Sequence, residues 1–222
     1  MSTGGVKPGV YCPLVTPFDY QEEIYLPKLR HNVTRLNQVG LAGYVVGTRI
    51  GEGDMLTLEE RRELWQTVAE VAAASAKPKV LIAATCQPSV RACLLDLEQA
   101  GKLGYTAAIV DSPDDFLIRC VADRAPLPVV HGRLTAPPAS NAVPYAYVTI
   151  FEAERSRETE AAEDWRQRLQ PVEAVVERYG IAAIKAAMDR YGFYGGAPRL
   201  PRVRLTPAAV EEVAKAFAEI RS

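Results

Sequence analysis

Several residues in this 222-residue chain have types and spacing that can do chemistry. Asp111, Asp114 and Asp115 crowd one short stretch, and with Glu52 and His131 they make a group able to hold a hard divalent cation. Asp114 and Asp115 are equally suited to cap a following helix at its positive end. Arg49 carries a planar guanidinium fork that can clamp a carboxylate, or pair with Glu52 or Asp111 to hold a loop. His131 ends an apolar run, where either a general base or a hydrogen-bonded structural histidine can stand. Cys86 is a potential nucleophile with no base visible beside it. Seven lysines are present: Lys7, Lys28, Lys77, Lys79, Lys102, Lys185 and Lys215. A desolvated lysine amine can form a Schiff base with a carbonyl compound. Gly4-Gly5 and Gly195-Gly196 are too short to cradle a phosphate, and His31 reads as a solvated surface residue.

The elements that must position these groups follow from apolar periodicity. Val10 to Phe18 reads as a buried strand, and Leu26, Leu29, Val33, Leu36 and Val39 repeat at helical spacing until Gly40. Tyr44 to Val46 is a second strand. Thr57 and Glu60 form a capping box for the next helix. Val80 to Thr85 is a third strand, and Ser89 caps a third helix. Ala107 to Val110 is a fourth strand, Asp115 to Asp123 a short helix, and Leu127 to His131 a fifth strand. Strand and helix thus alternate at about 30–35 residues per unit, the rhythm of βαβ construction. Such strands are buried on both faces, and their C-terminal ends carry the ligand in open sheets and barrels alike.

The rhythm then stops. Arg133 to Pro144 is rich in Pro, Ala and Ser and reads as loop. From Val148 onward the pattern is helical: Phe151 to Tyr179, then Ile181 to Tyr191, then a helix opened by Thr206 and Pro207. Residues 1–147 are expected to form a partial β/α barrel, with the helices of 148–222 packed on it as one unit.

Composition excludes whole classes. The chain is 24% charged and 48% hydrophobic with a net charge of −1, so no basic field advertises nucleic acid or anionic lipid. No apolar run has the length of a membrane span and no signal-peptide core is visible. Four scattered cysteines without C-x-x-C spacing read as reduced thiols, and a cytoplasmic location is expected.

The order of motifs resembles the dihydrodipicolinate synthase / N-acetylneuraminate lyase family. Thr16-Pro17-Phe18 matches that family's Thr-Pro-Phe, and Gly51-Glu52 followed by Leu56-Thr57-Leu58-Glu59-Glu60-Arg61 is similar to the end of its Gly-Thr-Thr-Gly-Glu motif and the helix start after it. Asp111-Ser112-Pro113 sits where the family has Val-Thr-Pro. Asn141-Ala142-Val143-Pro144 is similar to the segment after its eighth strand. Ile184 to Met188, Gly192 and Pro198 to Pro201 resemble its penultimate helix and the turn beyond. The resemblance implies class I aldolase ancestry and a (β/α)8 barrel, which needs about 250 residues. The fold expected here is α/β: an incomplete TIM-type barrel of five to six parallel strands plus C-terminal helices, two to three βα units short.

The departures bear on function. The family's Schiff-base lysine lies on the sixth strand, among the missing units, and Lys185 matches a helix lysine of the family rather than the nucleophile. The family's paired threonines align with Arg49 and Ile50 when Gly51-Glu52 is held in register; a one-residue insertion retains Thr48. Its two tyrosines after the fourth strand are replaced by Asp114 and Asp115, and its fifth-strand tyrosine falls near His131 or Gly132. The expectation is therefore a divergent family member without the usual aldolase or lyase activity, binding a small keto or carboxylic acid. The alternative is a lyase of related substrate class working by another, metal-assisted route through Asp111, Asp114 or His131. Ligand-facing candidates are Thr16, Thr48, Arg49, Glu52, Asp111, Asp114, His131 and Arg133; no residue is assigned as catalytic, and no resident metal or cofactor is expected. Five strands cannot close the usual eight-strand barrel. The exposed sheet edges and uncovered apolar surface predict a homodimer or higher homo-oligomer.

Overall fold

The computed structural model describes residues 6–130 and 134–220. Four parallel strands lie side by side in chain order: β1 (Tyr11–Leu14), β2 (Gly43–Val46), β3 (Val80–Thr85) and β4 (Ala107–Val110). Tyr11 is level with Gly43, Gly43 with Val80, and Ile82 with Ala107. Each strand is followed by a helix: α1 (Leu26–Asn37), α2 (Leu58–Ala73), α3 (Val90–Lys102) and α4 (Asp115–Ala122). The strands have the in-out alternation of a barrel wall. Cys12, Leu14, Tyr44, Val46 and Ala83 point outward into a core shared with Leu29, Val33, Trp65, Val68 and Leu97 of the helices. Tyr11, Val45, Ile82, Ala84 and Ala107 point inward and pack with Val130, Leu134 and Ala136. Burial of each large side chain of this kind contributes about 1.5–3 kcal/mol.

Local chemistry fixes the helix starts. Thr57 and Glu60 close the expected capping box on α2, Ser89 accepts from Ala92 N at the start of α3, and Asp114 accepts from Phe116 and Leu117 N at the start of α4. Asp114 is therefore a cap.

The barrel is truncated and not closed. The fifth strand expected at Leu127 to His131 joins the sheet through a single bridge, Ala108 to Val129; its last residue lies outside the described segments. On the opposite edge, the Tyr11 amide donates to Thr135 O at 2.8 Å. The described segments that end at Val130 and resume at Leu134 thus lie against the β4 and β1 edges respectively. Asn141 completes the cover of β1. Its Oδ1 accepts from Val15 N at 3.0 Å, and its Nδ2 donates to Pro13 O at 2.8 Å and Pro138 O at 3.0 Å. Pro13 has no N–H to satisfy and faces this edge, where a strand proline is tolerated. One side-chain amide and one carbonyl thus replace the ladder that a neighbouring strand would supply.

The C-terminal part is helical, with two departures from the sequence pattern. α5 (Pro144–Ser156) starts at Pro144 rather than Val148, proline suiting the first helical turn. The helical stretch ending at Tyr179 is two helices, because Arg157 adopts φ +64° and breaks the chain before α6 (Thr159–Tyr179). α7 (Ile181–Arg190) and α8 (Pro207–Ala216) follow, the latter capped by Thr206 as expected. The Tyr145 and Trp165 rings meet edge-on at 6.0 Å where α5 packs on α6. His31 is exposed, with Nε2 3.1 Å from Gly192 O. Among the described residues no helix is long and apolar enough to cross a membrane.

Candidate binding site

The loop after β2 organises the C-terminal face of the sheet. Gly47 turns it with φ +94°, and a Cβ there would lie 2.7 Å from Ala84 O. Thr48 caps a short 3₁₀ turn, its Oγ1 accepting from Gly51 N at 3.1 Å. Thr16, at the end of the β1 segment, donates to Gly51 O at 2.7 Å. Gly51 passes so close to β1 that a Cβ would lie 2.2 Å from Leu14 O. Both threonines are buried and hold this loop rather than face solvent.

Arg49 and Asp111 tie the β2 and β4 loops together across β3. The Arg49 amide donates to Asp111 Oδ2 at 2.7 Å, and its Nε donates to Asp111 O at 3.1 Å. Beneath them Cys86 lies 3.3 Å from Gly47 O and 3.9 Å from Asp111 Oδ2. Burial pushes its thiol up to about 12, with the carboxylates of Asp111 and Asp54 adding to the shift, so it is not a nucleophile at neutral pH.

Glu52 turns the other way. It has φ +65° and is fully buried. Its Oε1 accepts from Arg199 N at 2.8 Å, and its Oε2 lies 2.5 Å from Lys185 Nζ. Lys185 also donates to Ala197 O at 2.9 Å. The Phe18 ring has Lys185 Nζ 4.6 Å and Arg199 Cζ 4.2 Å from its centroid, two cation–π contacts. Arg199 continues to Glu60, Met55 O and Glu22 O, and hydrogen bonding to Arg199 holds the Glu60 carboxyl below its ordinary range. Burial pushes the Lys185 ammonium down to about 8, with Glu52 pulling against it. Glu52, expected on the ligand-facing rim, is thus the buried anchor of the C-terminal segment. Lys185 and Arg199 escaped notice as its partners. The signal was a single lysine in the otherwise apolar run Ile184 to Met188, which demands a buried counter-charge.

A groove of about 410 Å³ opens beside Arg49. Arg49 and Ile50 form one wall, Tyr179 to Ala182 at the α6–α7 junction a second, and Arg202 and Val203 the third. Of the six described candidates named from sequence, only Arg49 lines it. Asp111 stands behind Arg49, Asp114 caps α4, and His131 and Arg133 lie outside the described residues. None of the seven lysines lines it either. Lys28 stacks over Tyr194, Lys79 donates to Val39 O and Leu41 O, and Lys102 and Lys215 pair with Glu98 and Glu211. Lys7 lines a separate cavity with Tyr11 and Phe151, and Lys77 is exposed.

A parallel β/α wall with a polar C-terminal rim and an appended helical segment defines a truncated TIM-barrel architecture. The dihydrodipicolinate synthetase family model matches residues 7–119, and the chain belongs to that family. An L-threo-3-deoxy-hexylosonate aldolase of Hypocrea jecorina is 32% identical over 136 residues, covering 55% of this chain and 43% of the relative; here the chain spans less than half the relative's length. A 4-hydroxy-tetrahydrodipicolinate synthase of Exiguobacterium sp. is 24% identical over 292 residues, 96% of this chain and 99% of that protein. That comparison runs over 292 positions against a 222-residue chain, so at least 70 positions have no counterpart here, about two βα units. The dihydrodipicolinate synthase DapA-2 of Bacillus anthracis superposes with a TM-score of 0.85 at 19% identity, covering 98% of this chain and 100% of that one. This last likeness establishes the fold.

Proposed function

We propose that this protein is a divergent member of its family that binds a small keto or carboxylic acid at the C-terminal face of the sheet without forming a Schiff base. The observation that carries this reading is the lining of the groove beside Arg49: it offers an exposed guanidinium and no lysine. A Schiff-base nucleophile needs an amine that is both desolvated and open to substrate. Lys185 is desolvated but closed off against Glu52; the other lysines stand elsewhere. Arg49 suits the carboxylate of an acid, because its backbone and Nε are fixed by Asp111 while its terminal nitrogens have no acceptor among the described residues.

Borohydride reduction in the presence of pyruvate, read by intact mass, tests the reading. The expected result is an unmodified chain. A reduced pyruvate adduct on any lysine would overturn it, and peptide mapping would then name the nucleophile.

A further inference from the structure

The groove beside Arg49 is also lined by a second cation, Arg202, and by the apolar side chains of Ile50, Ile181 and Val203. We propose that it takes a dicarboxylic acid, with one carboxylate on Arg49, the other on Arg202 and the first amides of α7, and the hydrocarbon chain against Ile50 and Val203. The inference rests on the acid-binding reading above and specifies the acid.

Three features support two anionic ends. The lining contains two arginines and no carboxylate; Asp111 and Asp54, the acids that hold these arginines, are not part of it. Arg202 is held by Asp54, whose two oxygens lie 3.0 and 2.9 Å from its Nη2. Its Nη1 is buried with no hydrogen-bond acceptor and lies 4.0 Å from Glu52 Oε1. That nitrogen lies toward the closed Glu52 cluster, so an incoming carboxylate meets the part of Arg202 that stays open, 29% of its side chain. Beside it α7, a ten-residue helix, begins at Gly180, which has no side chain to cap it. The Ile181 and Ala182 amides, which unlike those of Ala183 and Ile184 donate to no carbonyl among the described residues, are the donors this helix start offers an anion.

The middle of the groove argues for a chain between the two ends. Ile50, Ile181 and Val203 are apolar, and a volume of about 410 Å³ lies in the range of small-molecule sites, leaving room beyond a three-carbon acid. Matched acids of equal carbon number, glutarate and pentanoate, therefore discriminate a second anionic contact from simple burial of hydrocarbon.

Calorimetric titration of the full chain with both acids at low ionic strength tests the proposal. Glutarate is expected to bind at least about tenfold more tightly than pentanoate. Arg202→Gln should bring glutarate to the pentanoate level while leaving pentanoate within about twofold, and Arg202→Lys should restore part of the difference. Equal affinity of the unmodified chain for the two acids overturns the second-anion proposal and leaves the acid-binding reading standing. Failure of both acids to bind overturns both. The comparison on the unmodified chain decides even if Arg202→Gln does not fold.

Discussion

The two sides of one loop, residues 47–55, handle charge in opposite ways. On the inner side Glu52 is buried against Lys185 and the Arg199 amide, and the surrounding cations stack on Phe18. On the outer side Arg49, three residues earlier, is half-exposed and held through its amide and Nε by Asp111. The contrast follows from solvation. A charge removed from water must be matched by a counter-charge and hydrogen bonds, so the inner cluster is closed. A charge left in water needs no fixed partner, so Arg49 keeps donors for something else. In this protein the anchoring of the fold and the proposed acid binding are therefore assigned to neighbouring residues that share a backbone and little else.

The contrast breaks most readily at Glu52. Glu52→Gln leaves the Lys185 ammonium buried without its counter-charge, and Lys185→Met leaves the Glu52 carboxylate in the same state. Each is expected to cost about 3–5 kcal/mol, or roughly 6–20 °C of melting temperature in a chain of this size. The double variant should cost less than the sum of the two, because it removes both charges. Chemical denaturation of the four proteins measures this. A loss below about 1 kcal/mol in both single variants would show that the inner cluster is not the anchor described.

Asn141 is the next largest expected effect. It belongs to the closed side of the comparison, since its amide satisfies Val15 N and Pro13 O on the β1 edge. Asn141→Leu keeps the volume and strands both buried groups, at about 1–3 kcal/mol. It should also speed amide exchange at Val15 relative to the residues of β1. Unchanged exchange at Val15 would mean that another group covers the edge.

What could be read from sequence divides along the same line. The caps Thr57, Ser89, Asp114 and Thr206 and the strands Val80–Thr85 and Ala107–Val110 were legible because their determinants are local: a side chain two or three residues from the amide that donates to it, or a run of β-branched and small apolar residues. The break at Arg157 was not, because the left-handed residue there is neither Gly nor Asn. The Glu52–Lys185 pair joins residues more than a hundred positions apart, and sequence spacing contains no term for that. Arg49 was legible as an exposed residue from its place after a strand. Arg202 and the start of α7 were not, because the C-terminal segment folds back across that face only in three dimensions.

On the open side the expected effect on stability is small. Arg49→Gln removes an exposed guanidinium whose Nε lies 4.0 Å from Asp111 Oδ1, a pair of the kind that contributes little. The backbone bond from residue 49 to Asp111 survives the change. Folding free energy should move by no more than about 0.5 kcal/mol, while acid binding at the groove is lost or reduced at least about tenfold. A variant that is destabilised and still binds acids would reverse the assignment of the two sides.

Cys86 reports the electrostatics between the two sides, and there the effect is smallest. Burial, Asp111 and Asp54 raise its thiol to about 12, while Arg49 and Arg61 pull it down. Only the thiolate is alkylated, so iodoacetamide modification of Cys86, followed by peptide mass mapping, should keep accelerating with pH through 10 instead of levelling near 9. The sign of the Arg49 contribution is fixed: removing a cation disfavours the thiolate. Arg49→Gln should therefore slow alkylation of Cys86 at any given pH below the midpoint, by a factor of a few at low salt and less at high salt. A rate that levels near pH 9 would show that the thiol is open to solvent and that the loop is not packed over it. A faster rate in Arg49→Gln would show that the guanidinium shields Cys86 sterically rather than through its charge.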